Sequence, residues 1–319
     1  MIPPTSIDGT DITGATIDGT DVQEITVDGD VVFSASQPKI YHFGGFNGSS
    51  QIDDIYEYDP FSDTIATQSA TLPRNIEQAN AVTVDGKIYH LGGNSGGEID
   101  DIYEYDPVND SISTMNSTLP QDIRLATAAV VGSKIYHLGG LSGSNIDDIY
   151  EFDPANDTIS SMSSTLPQNI RQASAETVDG KIYHLGGESG GNIDDIYEFD
   201  PANDSISSMS STLPQNVFNA ASAVVDSKIY HIGGSSGGNI DDIYEFDPAS
   251  DSVATMNSTL PQSLRLATAS AVDGKIYVFG GFGSPEDDIY EFDPASDSIS
   301  TLTSKLPQTI GNAASSVAG

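Results

Sequence analysis

The sequence predicts an all-β fold made of six repeated blades, that is, a six-bladed β-propeller. A Gly-Gly pair recurs six times, with successive spacings of 48, 47, 47, 47 and 47 residues. Each pair ends the string Lys-Ile-Tyr-x-x-Gly-Gly and is followed by Asp-Asp-Ile-Tyr-Glu-aromatic-Asp-Pro and then by Leu-Pro. A period of this length, built from short strand-like runs, is typical of propellers.

Each repeat contains signals for four strands, called a to d in chain order. In the second repeat we predict these strands over residues 79–84, 87–91, 100–105 and 111–115. Asp85-Gly86 joins strands a and b, because both central residues of a type I′ hairpin turn need positive φ. Pro107 ends strand c, since proline lacks the amide donor that a central strand requires.

The two ends of the repeat region predict how the ring closes. The first repeat contains only strands b, c and d, within residues 39–70. The stretch from Leu306 to Ala314 matches the run into strand a, so we predict that residues 313–318 form strand a of the first blade. Val31 to Phe33 is a competing segment for the same slot, but it lacks the preceding Leu-Pro-Gln.

The repeat resembles the kelch family over about residues 36–319. Kelch repeats carry a glycine doublet after an apolar strand, then a Tyr and, further along, a Trp. The Tyr position fits, with Tyr58, Tyr105, Phe152, Phe199, Phe246 and Phe292. The Trp position instead holds Ile65, Ile112, Ile159, Ile206, Val253 and Ile299, and the chain has no Trp. The resemblance implies a propeller of a divergent branch, so the functions of kelch adaptors are not carried over.

The chain is strongly acidic, with 47 Asp and Glu against 11 Lys and Arg and a formal net charge of −36. Such a charge destabilises a compact state by self-repulsion and is associated with halophiles. In about molar salt the Debye length falls to about 3 Å, so that repulsion is largely screened. We therefore expect a halophilic protein, and an acidic secreted protein that binds calcium is the alternative. The charge also argues against a nucleic-acid partner, because phosphate binding depends on Lys and Arg.

Residues 1–35 are predicted to form a separate module of β-hairpins. Three short repeats with a period of 10 carry Asp-Gly pairs at residues 8–9, 18–19 and 28–29. So small a meander buries little surface alone, so we expect it to attach the chain to a partner or to its own copies, for example as a trimer. The segment from Val22 to Gly29 resembles short stretches in structural proteins of tailed viruses.

These observations favour a non-catalytic binding protein. The chain has no Cys, no apolar run near the ~18 residues that span a bilayer, and no signal-like apolar core near Met1. We expect a tail-fibre or receptor-binding protein in the virion tail of a virus of a halophilic archaeon. It would act outside the cell on a host glycan or S-layer glycoprotein, with residues 1–35 bound to other tail proteins. The alternative is a kelch-like interaction scaffold in the cytoplasm of such an archaeon.

No catalytic site, cofactor or metal is expected. One strand-b position holds Val278 in the sixth blade and histidine in the others, namely His42, His90, His137, His184 and His231. One histidine per blade keeps these side chains apart around the ring. The Cys-modified Tyr of galactose-oxidase relatives is excluded, whereas a sialidase-like function with an arginine triad is a minor alternative. The Asp-Asp pairs supply too few oxygens for calcium and are expected at turns and strand starts.

On one face of the predicted propeller the loops vary between blades, whereas the opposite turns are nearly constant. The d-to-a links carry Glu77, Arg124, Arg171, Phe218, Arg265 and Gly311 in turn, and the b-to-c loops begin with Phe46, Asn94, Leu141, Glu188, Ser235 and Phe282. Variable loops on a rigid scaffold are where binding sites are usually built. We therefore predict a ligand-binding face made of Arg124, Arg171, Arg265, Phe218, Glu77, Phe46, Leu141 and Phe282. Arginine forks suit carboxylates and sulfates, and aromatic rings suit the apolar side of a sugar.

The charge leads to a first prediction. The protein is expected to be folded in molar KCl and to lose structure or aggregate in dilute buffer, because dilute buffer leaves its self-repulsion unscreened. Circular dichroism across a salt titration measures this. An unchanged spectrum and melting temperature down to about 50 mM salt would contradict the halophile interpretation.

Overall fold

A computed structural model describes residues 37–283 and 287–319, together with the backbone of four short strands between residues 16 and 34. The chain divides into two compact units, Met1–Pro38 with Gly319, and Lys39–Ala318. In the first unit Thr16–Ile17 pairs with Thr20–Asp21, and Glu24–Val27 pairs with Asp30–Ser34. The Asp-Gly pairs predicted as turns there lie outside the described residues. In the described ranges no helix is long and apolar enough to cross a membrane.

The unit Lys39–Ala318 consists of six antiparallel four-stranded sheets, which confirms the predicted propeller. The strands below are given in the order a, b, c, d. Blade 1 contains Ala314–Ala318, Lys39–Phe43, Ile55–Asp59 and Thr64–Thr67, and blade 2 contains Asn80–Val84, Lys87–Leu91, Ile102–Asp106 and Ser111–Thr114. Blade 3 contains Thr127–Val131, Lys134–Leu138, Ile149–Asp153 and Thr158–Ser161, and blade 4 contains Ser174–Val178, Lys181–Leu185, Ile196–Asp200 and Ser205–Ser208. Blade 5 contains Ala221–Val225, Lys228–Ile232, Ile243–Asp247 and Ser252–Thr255, and blade 6 contains Thr268–Val272, Lys275–Phe279, Asp288–Asp293 and Ser298–Lys305.

Strand c begins later than the sequence indicates. In blade 2 it starts at Ile102 rather than Asp100, because the backbone of the Asp-Asp pair has other partners. The carbonyl of Asp100 accepts a hydrogen bond from the N–H of Leu119 at 2.9 Å, and that of Asp101 accepts one from Gly92 at 3.0 Å. The paired aspartates therefore connect the loops at the end of each blade.

The ring closes as predicted, with the C-terminal strand in blade 1. Ala314–Ala318 pairs with Lys39–Phe43 in the register that places Ala314 opposite Phe43 and Ala318 opposite Lys39. The competing segment lies within Asp30–Ser34, which pairs with Glu24–Val27 instead.

The apolar core lies between the blades. Strand b and strand c of each blade contribute buried Ile, Tyr and Phe side chains that pack against the next blade, as in the contact of Tyr89 with Phe152 at 5.9 Å between ring centroids. The β-branched residues at the Trp position of kelch repeats are half-buried against these clusters, as Ile112 shows in blade 2. At the outer edge of the sheet, a side chain smaller than Trp thus fills the position that Trp occupies in kelch repeats.

Each Gly-Gly pair lies where two links between blades cross. In blade 2 a Cβ on Gly92 would lie 2.5 Å from the carbonyl oxygen of Ile123, and one on Gly93 would lie 2.6 Å from Cγ2 of Ile76. Both glycines also have positive φ, of 60° and 111°. Only glycine satisfies both the space and the backbone angle, which explains the repeat of the pair in every blade.

The turn between strands c and d joins neighbouring blades at the perimeter. Asp157, in the left-handed conformation at φ 48°, accepts hydrogen bonds from the N–H groups of Asn116 and Ser117 in the preceding blade, at 2.9 and 3.0 Å. The hydrogen bonds from Ser117 and Asn116 lower the pKa of this carboxyl. The equivalent residues Asp63, Asp110, Asp204, Asp251 and Asp297 make the same contact in the other blades.

The five histidines are core residues rather than members of one site. Each is buried at the fourth position of strand b, with an Nδ1 atom that has no hydrogen-bond partner. Burial lowers the pKa of His184 to about 4, so the ring is neutral at pH 7. Val278 fills the same position in blade 6 and is equally buried, which shows that the position requires packing and not an imidazole.

A second prediction concerns ring closure. Deleting the last eight residues, from Asn312 to Gly319, is expected to abolish cooperative unfolding, because it exposes the edge of strand b in blade 1 and breaks the ring. Thermal melting and limited proteolysis measure this. Ser316→Ala is the control, since Ala129 and Ala223 occupy its position in other blades. A truncated chain that melts like this control would contradict the prediction.

A third prediction concerns acid. Between about pH 6.5 and pH 4 the unfolded chain binds protons at histidines that remain neutral in the fold, so the free energy of unfolding falls as pH drops through this window. Between pH 8 and pH 5 the free energy of unfolding of His184→Val is expected to fall by about 2 kcal/mol less than that of the parent protein. Denaturant unfolding at each pH measures the difference, with Val278→Ile as a core control. Parallel pH profiles for His184→Val and the parent would rule out the histidine as a source of acid sensitivity.

Candidate functional site

The two sets of variable loop residues meet in pairs on one face. The d-to-a link and the b-to-c loop of each blade are joined by a short β-bridge, and we call the joined residues rim pairs. They are Phe46 with Gly311, Glu77 with Asn94, Arg124 with Leu141, Arg171 with Glu188, Phe218 with Ser235, and Arg265 with Phe282. The structure therefore brings every sequence-predicted site residue to one rim, with one pair in each blade.

Inside the rim pairs lies a closed ring of backbone hydrogen bonds, which sequence reasoning did not find. We call it the mouth ring, and its members are Gln78, Leu125, Gln172, Asn219, Leu266 and Asn312. The N–H of each member donates to the carbonyl of the member in the preceding blade, at 2.8 to 3.0 Å. All six have φ between 57° and 60°, a region that costs non-glycine residues about 1–3 kcal/mol. The sequence position of these residues could have identified them, because each member of the mouth ring directly follows a rim residue.

In blades 2 and 3 the charged rim residues, Glu77 and Arg124, have hydrogen-bond or ion-pair partners. Arg124 donates from Nη1 to Oε1 of Gln78 at 2.7 Å and forms an ion pair from Nε to Oε1 of Glu98 at 3.4 Å. The second oxygen of Glu98 accepts from the N–H of Gly143 at 3.0 Å. Glu77 accepts from the side chains of Gln51, Asn94 and Asn312.

Arg171 in blade 4 is neutralised more completely. Its Nη2 lies 2.9 and 3.0 Å from the two carboxylate oxygens of Glu188, and its Nε lies 3.2 Å from one of them. Leu141 is buried within the small hairpin of Leu141–Ser142 with Ser144–Asn145. The charged groups of Glu77, Arg124 and Arg171 therefore already have partners within the protein.

Arg265 differs from every other basic residue in the described ranges. All 11 Lys and Arg lie in those ranges, and ten of them pair with a carboxylate. The ten are Lys39, Lys87, Lys134, Lys181, Lys228, Lys275, Lys305, Arg74, Arg124 and Arg171. Arg265 is exposed and has no carboxylate partner among the described residues.

Equivalent positions in the repeat explain why Arg265 lacks the carboxylate partners that Arg124 and Arg171 have. The carboxylate that pairs with Arg124 is Glu98 in the loop of the preceding blade, and the equivalent loop position for Arg265 holds Asn239. The carboxylate that pairs with Arg171 is its own rim partner, where Arg265 has Phe282. The two positions that supply a carboxylate to Arg124 and to Arg171 therefore hold uncharged residues at Arg265.

Aromatic residues occupy the rim positions next to Arg265. The ring of Phe282 lies over Gly311, where a Cβ would come within 2.7 Å of it, and its centroid is 6.4 Å from that of Phe46. Phe218 occupies the rim position of blade 5, beside blade 6. We call Phe218, Arg265, Phe282 and Phe46 the aromatic sector, which spans blades 5, 6 and 1.

The described residues contain no group of three His, Asp or Glu side chains arranged to hold a metal ion. The second aspartate of an Asp-Asp pair serves a structural contact, as when Asp148 accepts from Nε2 of Gln121 at 3.0 Å. Tyrosines with shifted pKa values in this part of the chain are all shifted upward, chiefly by burial, as for Tyr150. None of these groups is poised as a nucleophile.

Comparison with family models supports this assignment of the fold. The model of the KLHDC2/KLHL20/DRC7 Kelch-repeats domain matches residues 20–187, 116–281 and 172–319, and so covers most of the chain. A search of curated proteins gave no match. Kelch propellers usually lack catalytic activity and suit the role of a protein-interaction scaffold. With its six Gly-Gly blades and its closing C-terminal strand, the chain belongs to the kelch-repeat β-propeller family.

Proposed function

We propose that the protein is a non-catalytic binding protein whose aromatic sector holds an acidic ligand. The observation that carries the proposal is the guanidinium of Arg265, which is exposed and has no carboxylate partner in the described part of the chain. In a chain of net charge −36, an exposed cation that no described carboxylate neutralises, bridged through its backbone to the half-buried Phe282, is available to a ligand.

The chemistry of the sector favours an acidic or sulfated glycan, or a glycoprotein that carries one. A guanidinium donates two parallel hydrogen bonds to a carboxylate or sulfate. The faces of Phe282 and Phe46 offer apolar area for the C–H side of a sugar ring. Arg124 and Arg171, with Glu77 and Leu141, would form the polar border of this surface rather than its centre, because their groups already have partners.

The charge of the protein fits such a ligand only at high salt. In dilute buffer a net charge of −36 repels an anionic glycan. At about molar salt the Debye length is about 3 Å, which screens that repulsion but leaves contact hydrogen bonds and apolar stacking in place. Binding would therefore depend on short-range contacts with Arg265 and its aromatic neighbours.

The setting that we propose is the tail of a virus of a halophilic archaeon. The rim face would engage a host surface glycan or S-layer glycoprotein, and residues 1–35 would attach the chain to other tail proteins, with a trimer as one arrangement. The acidic composition and the resemblance of Val22 to Gly29 to tail-protein segments support this setting. A cytoplasmic kelch-like interaction scaffold is the second candidate, and the family membership favours the scaffold role. A sialidase-like activity is disfavoured by the ion pairs of Arg124 and Arg171.

A fourth prediction tests the sector. In 2 M KCl the full-length protein is expected to bind sulfated or uronic-acid oligosaccharides and not a neutral glucose oligosaccharide, as measured by isothermal titration calorimetry. Arg265→Ala is expected to weaken binding about tenfold or more, because it removes the charge-assisted fork. Phe282→Ala is expected to weaken it by a smaller factor through lost stacking.

Two variants serve as matched controls. Arg74→Gln also removes one positive charge, and glutamine occupies that position in the other links, as in Gln121. Phe61→Ala removes an exposed aromatic ring from the opposite face. Equal affinity of Arg265→Ala and Arg74→Gln would refute the proposed site. Adsorption of the parent but not of Arg265→Ala to halophile cells would distinguish the viral setting from a cytoplasmic scaffold.

A further inference from the structure

The axis of the propeller contains a second candidate site, remote from the rim pairs. The six innermost strands enclose a channel of about 500 Å³ lined by small side chains, mostly Ala, Ser, Thr and Val. Among its lining residues Glu176 of blade 4 is the only ionisable one. The equivalent positions in the other blades hold Val82, Ala129, Ala223, Ser270 and Ser316. The carboxylate therefore breaks the sixfold repeat in the channel.

One oxygen of this carboxylate has no hydrogen-bond partner within the described part of the protein. Oε1 of Glu176 accepts a hydrogen bond from Oγ of Ser222 in blade 5 at 2.7 Å, whereas Oε2 has no partner among the described residues. The two flanking strands, Thr127–Val131 and Ala221–Val225, contain no charged residue. Burial raises the pKa of Glu176 to about 7, which reflects a carboxylate without a compensating charge.

A second polar group near Glu176 also lacks a partner. Ser174 is 6% exposed and lines the channel, and its Oγ has no hydrogen-bond partner. It precedes Glu176 by two residues on one strand, so both side chains lie on the same face of that strand. A hydroxyl without a protein partner in the wall of the channel is able to bind an ion or a water there.

We propose that the channel binds a monovalent metal cation between the free carboxylate oxygen of Glu176 and the hydroxyls of Ser222 and Ser174. A single carboxylate balances one positive charge, and the remaining lining groups are neutral hydroxyls and backbone atoms. Calcium needs six to eight oxygens and usually several carboxylates, which this wall does not supply. The site is independent of the rim, so its test does not depend on the proposed glycan binding.

The cation also explains how a carboxylate is tolerated in this wall. An isolated buried charge is costly, and it is compensated either by protonation or by a counterion. Protonation and cation binding at Glu176 exclude each other, so acid is expected to release the ion. The nearest titratable groups on the paired strand are Tyr183, which lies opposite Glu176, and His184, whose burial lowers its pKa to about 4. Neither becomes charged between pH 6 and pH 8.

The fifth prediction compares cations at constant ionic strength. At pH 8 the full-length protein is expected to melt about 2–4 °C higher in KCl than in tetramethylammonium chloride, because only K⁺ fits the carboxylate. This difference is expected to vanish in Glu176→Ala and to shrink at pH 6. Alanine occupies the equivalent position in blades 3 and 5, so the variant is expected to fold.

Asp122→Asn is the matched control, since it removes one exposed carboxylate and Asn75 and Asn169 occupy that position in other links. Crystals grown in RbCl provide the second readout, as an anomalous peak within bonding distance of Oε2 of Glu176 in the parent but not in Glu176→Ala. An equal K⁺ effect in the parent and Glu176→Ala, or no peak at this oxygen, would overturn the proposal. Stabilisation by Ca²⁺ at millimolar concentration and not by K⁺ would overturn the monovalent assignment.

Discussion

The crossing of two inter-blade links at each Gly-Gly pair is the constraint on which the rest of the structure depends. At Gly92 and Gly93 the chain passes so close to Ile123 and Ile76 that no Cβ fits. This approach fixes where each link enters the next blade, and hence where its rim residue and mouth-ring residue lie. The backbone strain of the mouth ring is sustained because these crossings determine the path of the chain on both sides.

On this uniform scaffold, charge pairing within the protein determines which rim residues are available to contact a ligand. The strand-b lysines pair with strand-c carboxylates in every blade, so none of these six cations is left without a carboxylate partner. Blades 2 to 4 extend the same principle to the rim through the ion pairs of Arg124 and Arg171. Arg265 departs from it because Asn239 and Phe282 replace the two possible partners. The asymmetry of the face thus arises from two substitutions in the repeat.

Periodicity allowed much of this architecture to be predicted, because residues one repeat apart occupy equivalent places. Periodicity was sufficient to predict the blades, the closing strand and the common face on which the rim residues lie. It was insufficient for contacts between blades, such as that of Arg124 with Glu98, because these depend on how far each loop reaches into its neighbour. The left-handed backbone of Leu125 and Leu266 had no signal in residue type, since leucine rarely adopts it. The role of Glu176 could not be predicted from the sequence, because a strand-a carboxylate becomes a channel-lining group only when the six strands enclose a channel.

The closing strand also determines when the molecule can become complete. Lys39–Phe43 is synthesised about 270 residues before its partner Ala314–Ala318. At about 5–20 residues per second, that edge waits on the order of tens of seconds for its partner. During this time blades 2 to 6 are completed one after another, whereas blade 1 presents an open edge to any strand nearby. Repulsion between such acidic nascent chains disfavours their association. The charge that destabilises the finished fold therefore limits aggregation while the chain is still incomplete.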